Sequence, residues 1–354
     1  MSETPSTLKL NENGIPDFDS LPLRPGDPKY SAWGLYGDKD ELGTLNRLTD
    51  ELVAEAAKNE IKTGVRVSLN WPLNAQRDSS FFNRQLFHQD LFAKPPRCVN
   101  DDVWTFNPQV SSQWDGLRHF AYQKEKLFYN GVTMEDIHED DGGTSGVIGV
   151  QAWAKKGIVS RGILVDFHSW RLEQINNTSN PDPRLVDFDH FATKPISLED
   201  IKACLEWQGG TEVKFGDILF IRSGWINAHN NLLSTSPSTL TRHQTKTPHT
   251  FCGLSPSPAL FEFIWSKFAA VAGDQPSLEC WPPLAMRDPV NHGDKLSLHE
   301  VMLAGWGMPI GELFDLEELA RECERQKRWS FFVSSEVCNV KGGVASPPNA
   351  LAIF

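Results

Sequence analysis

Residues able to carry acid–base chemistry are concentrated in the segment Gln113-Trp114-Asp115-Gly116-Leu117-Arg118-His119. The imidazole of His119 titrates nearest to neutral pH, so it is the candidate general base, and Asp115 could share a proton or a water with it. Arg118 could bind an anionic group or polarise a carbonyl. A solvated or core-packed pair has the same spacing, so the motif predicts a catalytic site only together with other residues.

A second group of candidates is His299 with Glu312. Ser297 and Glu300 form a capping-box pattern that places His299 in the first turn of a helix, where the helix dipole is expected to lower its pKa. The glycines after this helix, together with Pro309, permit a tight return of the chain, so His299 and Glu312 could face one site. The alternative is a histidine that only packs against its neighbours.

Aromatic residues and a glycine-rich turn are weaker candidates. The chain has 12 Trp against four Tyr, and a flat wall for an aromatic substrate is predicted from Trp114, Tyr129, Trp225 and Trp306. Plain core packing is the alternative for each of them. The segment 341–350, rich in Gly and Pro, predicts a rigid turn whose backbone N–H groups either face a ligand or only shape the chain.

The elements that must position these residues indicate an α/β protein. Helices are predicted from the Thr49 cap to about residue 61 and at 197–207, 258–268 and 312–326, and strands at 65–71, 157–166, 216–225 and 268–274. Residues 75–110 are predicted to be a long covering loop and residues 230–250 a surface loop. Strands and helices alternate throughout, which favours an irregular N-terminal arm (1–30) followed by one catalytic domain (31–354).

Composition excludes several classes of function. The net charge of −12 disfavours nucleic acid and anionic membranes as partners. No apolar run reaches the roughly 18 residues of a membrane-spanning helix, and no signal peptide is evident, so a cytoplasmic protein is expected. The six cysteines form no C-x-x-C pair. The motifs G-x-S-x-G, G-x-G-x-x-G and the phosphate-binding loop are absent, so neither an α/β-hydrolase nucleophile nor a nucleotide cofactor is implied.

Together, these segments resemble the cyclase family that includes metal-dependent kynurenine formamidases, isatin hydrolases and trans-dienelactone hydrolases. The family motif H-x-G-T-H-x-D-x-P-x-H aligns with residues 109–119, so its Asp falls on Asp115 and its last His on His119. The later His and Glu of the family fall on His299 and Glu312. The version S-S-Q-W-D-G-L-R-H is most similar to a fungal branch of the family.

The sequence departs from this pattern at two metal ligands. Gln109 and Gln113 stand where the family has its first two histidines. Zinc prefers nitrogen and sulfur ligands, whereas an amide oxygen is a neutral, harder donor that suits Mn or Mg. Two states therefore stay open: a divalent ion such as Mn or Zn, or a metal-free acid–base site. The candidate ligands of the ion are Gln113, Asp115, His299 and Glu312.

The resemblance implies a swivelling β/β/α fold with mixed sheets flanked by helices, and a homodimer or homotetramer. It also implies hydrolysis of a small lactone, amide or lactam that is aromatic or polyketide-like. His119 would take a proton from water, Asp115 would orient His119 or the ion, and Glu312 and His299 would stabilise or protonate the leaving group. The alternatives are a metal-free cyclase, isomerase or dehydratase of secondary metabolism, and a ligand-binding protein without catalysis.

Overall fold

A nine-stranded mixed sheet forms the centre of the protein. The computed structural model of the chain describes residues 9–138, 145–283 and 295–354. The strands are β1 (Arg66–Ser68), β2 (His88–Ala93), β3 (Asn100–Thr105), β4 (Gln113–Asp115), β5 (Ile158–Val165), β6 (Pro195–Ile196), β7 (Asp217–Ile221), β8 (Gly253–Leu254), β9 (Phe268–Gly273), β10 (Ile310–Glu312), β11 (Ser330–Ser335), β12 (Ala345–Ser346) and β13 (Leu351–Ile353).

The order of strands in this sheet is β1-β13-β11-β5-β7-β9-β10-β4-β12. Neighbours among β5, β7, β9 and β10 pair in parallel, whereas the strands outside this group pair antiparallel. Parallel strands buried on both faces are continuous apolar runs, and β5, β7 and β9 have this character. Two small sheets, β2–β3 and β6–β8, lie outside the large one.

Helices flank the large sheet. They are α1 (Asp50–Glu60), α2 (Met134–Ile137), α3 (Phe167–Asn176), α4 (Pro183–Val186), α5 (Leu198–Trp207), α6 (Trp225–Thr235), α7 (Pro237–Thr245), α8 (Pro258–Lys267) and α9 (Glu317–Gln326), with a π-helix at Glu300–Trp306. Short 3₁₀ helices lie at Phe18–Ser20, Gly43–Arg47, Phe81–Asn83, Tyr129–Gly131 and Val150–Lys155. Two clusters of buried apolar side chains form the core.

Local signals in the sequence account for several of these elements. Thr49 caps α1 by accepting a hydrogen bond from the N–H of Leu52 (3.2 Å). Ser197 and Asp200 form the capping box that begins α5. The predicted strands at 157–166, 216–225 and 268–274 are β5, β7 and β9. The mixed α/β architecture that the sequence predicts is therefore confirmed.

Three predicted segments were wrong. Residues 75–110 contain the hairpin β2–β3, whose residues are exposed on both faces and therefore show no alternation of polar and apolar side chains. Residues 230–250, predicted as a loop, lie largely in α6 and α7, which bury residues at helical spacing, among them Ile226 with His229 and Leu240 with Gln244. The last predicted helix begins at Glu317 and not at 312.

Residues 9–30 consist mainly of turns, bends and one 3₁₀ helix. The side chains of Ile15, Phe18 and Leu21 are nevertheless buried in the core. Among the described residues, no helix combines the length and the apolar character needed to cross a membrane. The division into an arm at 1–30 and a domain at 31–354 stays a prediction.

Candidate active site

Strands β4 and β10 bring together polar residues that are far apart in the sequence. They pair antiparallel, with Gln113 opposite Glu312 and Asp115 opposite Ile310. Successive side chains of a strand point to opposite faces, so Gln113, Asp115 and Glu312 share one face. Trp114, between two of these residues, points to the other face. All three polar side chains are buried.

Asp115 and His119 are joined through the amide of Gln109. Gln109 Nε2 donates a hydrogen bond to Asp115 Oδ1 (2.7 Å) and lies 3.2 Å from His119 Nδ1. His119 follows a turn in which its N–H donates to the carbonyl of Gly116 (3.0 Å). His119 Nε2 is 3.8 Å from Asp115 Oδ2. The pair predicted from the sequence is therefore close in space, and an amide donor holds its carboxylate.

His299 is held between two buried carboxylates. Its Nδ1 lies 2.7 Å from Glu279 Oε1 and its Nε2 lies 3.2 Å from Glu312 Oε1. Glu279 also accepts hydrogen bonds from the backbone N–H groups of Leu298 (2.9 Å) and His299 (3.3 Å). The capping box of Ser297 and Glu300 is present as predicted. Glu279 therefore fixes both the start of this helix and the orientation of the imidazole.

The electrostatic environments of the two histidines differ. Burial, with the positive charges of His299 and Arg84, lowers the pKa of His119 to about 3. Burial alone would also lower the pKa of His299, but the hydrogen bonds to Glu279 and Glu312 outweigh it and raise that pKa to about 10. The prediction that the helix dipole lowers the pKa of His299 was therefore wrong. The two carboxylates that contact the imidazole outweigh the dipole.

The two facing carboxyl groups are harder to ionise than usual. Burial raises the pKa of Asp115. Burial and the charge of Asp115 raise the pKa of Glu312. Gln113 Nε2 donates to Glu312 Oε2 (2.7 Å), and the N–H of Leu278 donates to Glu312 Oε1 (3.2 Å). Burial therefore favours the protonated form of both groups, and the hydrogen bonds to Glu312 oppose it.

These groups meet a cavity of about 250 Å³. Its wall is polar at His119, His299 and Glu312 and aromatic at Phe82, Phe120 and Trp281, and the other lining residues are Arg84, Pro276 and Ser277. Ser277 is 2% exposed, and its Oγ has no hydrogen-bond partner among the described residues. A cavity of this size with aromatic walls and few polar groups suits a small flat molecule.

Arg118, predicted to bind substrate, serves the structure instead. Its Nε donates to the carbonyl of Val147 (2.6 Å), its Nη1 to the carbonyl of Gly342 (3.0 Å) and its Nη2 to Ser145 (3.0 Å). The guanidinium thereby joins the turn near Gly342 to the segment that precedes the 3₁₀ helix Val150–Lys155. It does not line the cavity.

The four aromatic residues predicted as a substrate wall all lie in the core, each with 0% of its surface exposed. Trp114 Nε1 donates to Ser335 Oγ (2.8 Å), Tyr129 Oη to Asp40 (3.0 Å) and Trp306 Nε1 to the carbonyl of Tyr30 (2.8 Å). Trp225 packs against Phe81 with ring centroids 5.4 Å apart. The aromatic wall of the cavity is formed by other residues, namely Phe82, Phe120 and Trp281.

The resemblance implies a divalent ion, and the donor set of this wall fits one. Asp115, His119 and His299 present ligand atoms within 4.8 Å of one another. Asp115 Oδ2 and Gln113 Oε1 are buried acceptors without a hydrogen-bond partner in the described part of the chain. The second ring nitrogen of His299 is held by a carboxylate, which is typical of metal-bound histidine. Of the predicted ligands, this group contains Asp115 and His299 and adds His119, whereas Glu312 is not part of it.

Sequence reasoning missed Glu279, Ser277 and the aromatic lining of the cavity. Glu279 and Ser277 lie in the turn after β9, about 20 residues before the helix that carries His299. One signal was available, because polar residues that follow a buried parallel strand are often functional. Phe82 and Phe120 belong to irregular segments without a periodic pattern, so the sequence gives no comparable signal for them.

Known proteins share this fold. A structure described as a novel cyclase superposes with a TM-score of 0.74 at 26% identity and covers 92% of this chain and 99% of its own. Isatin hydrolase A from Labrenzia aggregata, bound to benzyl benzoate, gives 0.52 at 14% identity, covering 87% and 98%. Isatin hydrolase A from Ralstonia solanacearum gives 0.51 at 13% identity, covering 86% and 96%. Comparison with curated proteins gives no match.

The fold and the site thus define a protein of the cyclase type. The sequence model of the family described as "Putative cyclase" matches residues 67–280, more than half of the 354 residues. The chain belongs to the Putative cyclase family.

Proposed function

We propose that the chain is a hydrolase of a small aromatic substrate that carries a lactone, lactam or amide bond. The observation that carries the proposal is the meeting of His119, Asp115, His299 and Glu312 at one wall of an aromatic-lined cavity. The fold is shared with isatin hydrolase A, one structure of which holds benzyl benzoate, an aromatic ester. This likeness supports an aromatic substrate.

The reaction requires a proton acceptor for water and a proton donor for the leaving atom. His119 is the acceptor, because its lowered pKa keeps the imidazole neutral and its side chain lines the cavity with 21% of its surface exposed. Gln109 Nε2, 3.2 Å from its Nδ1, holds the ring. Water adds its oxygen to the carbonyl carbon as His119 takes its proton. Ser277 Oγ donates a hydrogen bond to the carbonyl oxygen. The bond to the leaving nitrogen or oxygen breaks, and that atom receives a proton from the His299–Glu312 pair.

A divalent ion in this wall would be held by Asp115, His119 and His299, and it would supply a bound water of lowered pKa. With these three side chains engaged as ligands, Glu312 is the remaining group at the cavity that accepts a proton. Its Oε1 and Oε2 are positioned by Leu278 and Gln113, so it needs no rearrangement to do so. Glu312 is therefore required in both states of the site.

The test is turnover of a panel of aromatic lactones, lactams and N-acyl anilines, followed by mass spectrometry. Hydrolysis adds the mass of one water to the substrate. His119→Ala is expected to lower the rate by about 10²- to 10⁴-fold. The matched control is His88→Ala, because His88 is an exposed residue of the β2–β3 hairpin. Equal activity of the two variants would remove His119 from the mechanism.

One observation favours a second candidate, a metal-free cyclase, isomerase or dehydratase. The amides of Gln109 and Gln113 donate to Asp115 and Glu312, so both carboxyl groups have partners without an ion. The mass of the product separates this reaction from hydrolysis, since a cyclase or isomerase leaves the mass unchanged and a dehydratase removes one water. Tight ligand binding without turnover of any panel member would indicate a binding protein.

Three further expectations stay proposals. A homodimer or homotetramer is expected, with small molecules as the other partners. A cytoplasmic location follows from the sequence-based expectations given above. Membership of a fungal branch rests on the S-S-Q-W-D-G-L-R-H version of the family motif, which spans residues 111–119.

A further inference from the structure

The cavity contains a guanidinium whose role the reaction above does not explain. Arg84 is the one Lys or Arg among the described residues that line it. Its Nη1 donates to the carbonyl of Gln109 (2.8 Å), and its Cζ lies 5.3 Å from the ring centroid of Phe82. Among the described residues, no carboxylate lies within ion-pair distance of Arg84. The remaining N–H donors of the guanidinium are therefore available to a ligand.

The charge of Arg84 favours ionisation of Asp115 and Glu312, but its guanidinium donates no hydrogen bond to either carboxyl group in the described part of the chain. Asp115 accepts from Gln109, and Glu312 accepts from Gln113 and from the N–H of Leu278. Glu279 is paired with His299, at the far side of the imidazole from Glu312. Each carboxyl group thus has hydrogen-bond donors of its own, and none of them contacts the guanidinium.

The turn before Arg84 is strained in a way that fixes its position. Phe82 (φ 60°) and Asn83 (φ 54°) both adopt the left-handed conformation that non-glycine residues avoid. The turn is held by three hydrogen bonds from its neighbours: Phe81 N to Gln76 Oε1 (3.0 Å), Phe82 N to His249 Nε2 (3.0 Å) and Ser80 Oγ to the carbonyl of Arg84 (2.5 Å). Strained backbone conformations that surrounding contacts hold in place are concentrated at functional sites.

We propose that Arg84 binds the carboxylate of the substrate, so that the substrate class is a small aromatic carboxylic acid that also carries the bond to be cleaved. The inference rests on the proposed function in so far as it takes this cavity as the substrate site. Phe82, Phe120 and Trp281 contact the aromatic ring, while the guanidinium receives the planar carboxylate through two parallel N–H donors. A dianionic phosphate fits less well, because Arg84 is the one guanidinium among the described residues that line the cavity, and Glu312 lines it too.

The test measures binding, without any need for turnover. The affinities of benzoate and phenylacetate are compared with those of benzamide and phenylacetamide by titration calorimetry or ligand-observed NMR. The native protein is expected to bind each acid roughly 10- to 100-fold more tightly than its amide. Arg84→Gln is expected to abolish this preference while affinity for the amides stays within about twofold. Arg97→Gln, which removes an exposed guanidinium outside the cavity, is the matched control and keeps the preference.

Thermal unfolding checks that the Arg84→Gln variant is folded. If it is not folded, Arg84→Lys replaces it in the binding comparison. Lysine keeps the charge but loses the planar pair of donors, so its preference for the acids is expected to fall between those of the native protein and Arg84→Gln. An acid preference that is undiminished in Arg84→Gln would overturn the inference. The two acids contain no scissile bond, and NMR checks that the two amides stay intact during the titration. A failure of hydrolysis therefore leaves the result unaffected, and the two proposals can fail independently.

Discussion

Glu279 is a buried carboxylate that contacts His299, and its replacement tests how the site is held together. Glu279→Gln keeps the size of the side chain and one acceptor oxygen but removes the charge. The native carboxylate accepts from His299 Nδ1 (2.7 Å) and from the backbone N–H groups of Leu298 and His299. The variant therefore leaves the imidazole without its closest anionic partner, while the helix keeps part of its cap.

The magnitude follows from the burial of the pair, since both residues are almost completely enclosed. Removing one partner of a buried ion pair costs about 3–5 kcal/mol, and the retained acceptor places Gln at the lower end, about 3 kcal/mol. The pKa of His299 is raised to about 10 from an ordinary 6.5. Stability from this shift is fully present below pH 6.5 and is lost as pH rises toward 10. In Glu279→Gln, the free energy of unfolding should therefore fall less between pH 6.5 and pH 10 than it does in the native protein.

The assay is urea unfolding with a chelator present, at pH 6, 8 and 10, for the native protein and for Glu279→Gln. Glu262→Gln is the control, because Glu262 is an exposed residue of α8. The variant should be destabilised most at the lowest of these pH values, and its activity should fall by about 10- to 100-fold, as for other residues that orient a site. An unfolding midpoint equal to that of the control at pH 6 would refute the assignment of Glu279.

Three further predictions concern single residues. Ser277→Ala should lower kcat by roughly 10²-fold with little change in KM, measured by steady-state kinetics, if its hydroxyl stabilises the developing oxyanion. Gln113→His should tighten Mn²⁺ or Zn²⁺ binding by more than tenfold in calorimetry, because an imidazole replaces an amide as a potential ligand; unchanged affinity would argue against an ion at this wall. Burial lowers the pKa of His229 to about 4, so its contribution of about 3 kcal/mol is lost as pH falls from 6.5 to 4. His229→Phe, but not His88→Phe, should therefore reduce acid sensitivity in urea unfolding between pH 7 and 4.

Elements with a strong local signal were predictable. The buried strands β5, β7 and β9 are apolar runs, and α5 begins at a capping box that can be recognised in the sequence. The hairpin β2–β3 was missed because all its residues are exposed, so no alternation of buried and exposed side chains marks it. Helix α7 was missed because its Ser/Thr-rich sequence is typical of a loop, although Pro237 at its first turn suits a helix start.

The candidate site shows the difference between neighbours in sequence and neighbours in space. Asp115, His119, His299 and Glu312 were all anticipated, and they are close together. Trp114 was grouped with them because it stands beside Asp115, yet strand alternation turns its ring to the opposite face, against Phe314. The orientation of Trp114 could be predicted only if Gln113–Asp115 were assigned as a strand. Three residues are too few for alternation to identify a strand.

The two glutamines explain how an acidic wall can be stable with or without an ion. In the family pattern, imidazoles occupy these positions, and a metal charge would offset the carboxylates. Here the Nε2 groups of Gln109 and Gln113 donate to Asp115 and Glu312, while Asp115 Oδ2 and Gln113 Oε1 keep free lone pairs. The amides thus stabilise the carboxylates without filling the centre. A cation would therefore meet carboxylates that already accept hydrogen bonds, together with two buried acceptors that have no partner among the described residues. We expect weaker metal binding than at a site with histidines in these two positions, and a fold that survives chelation.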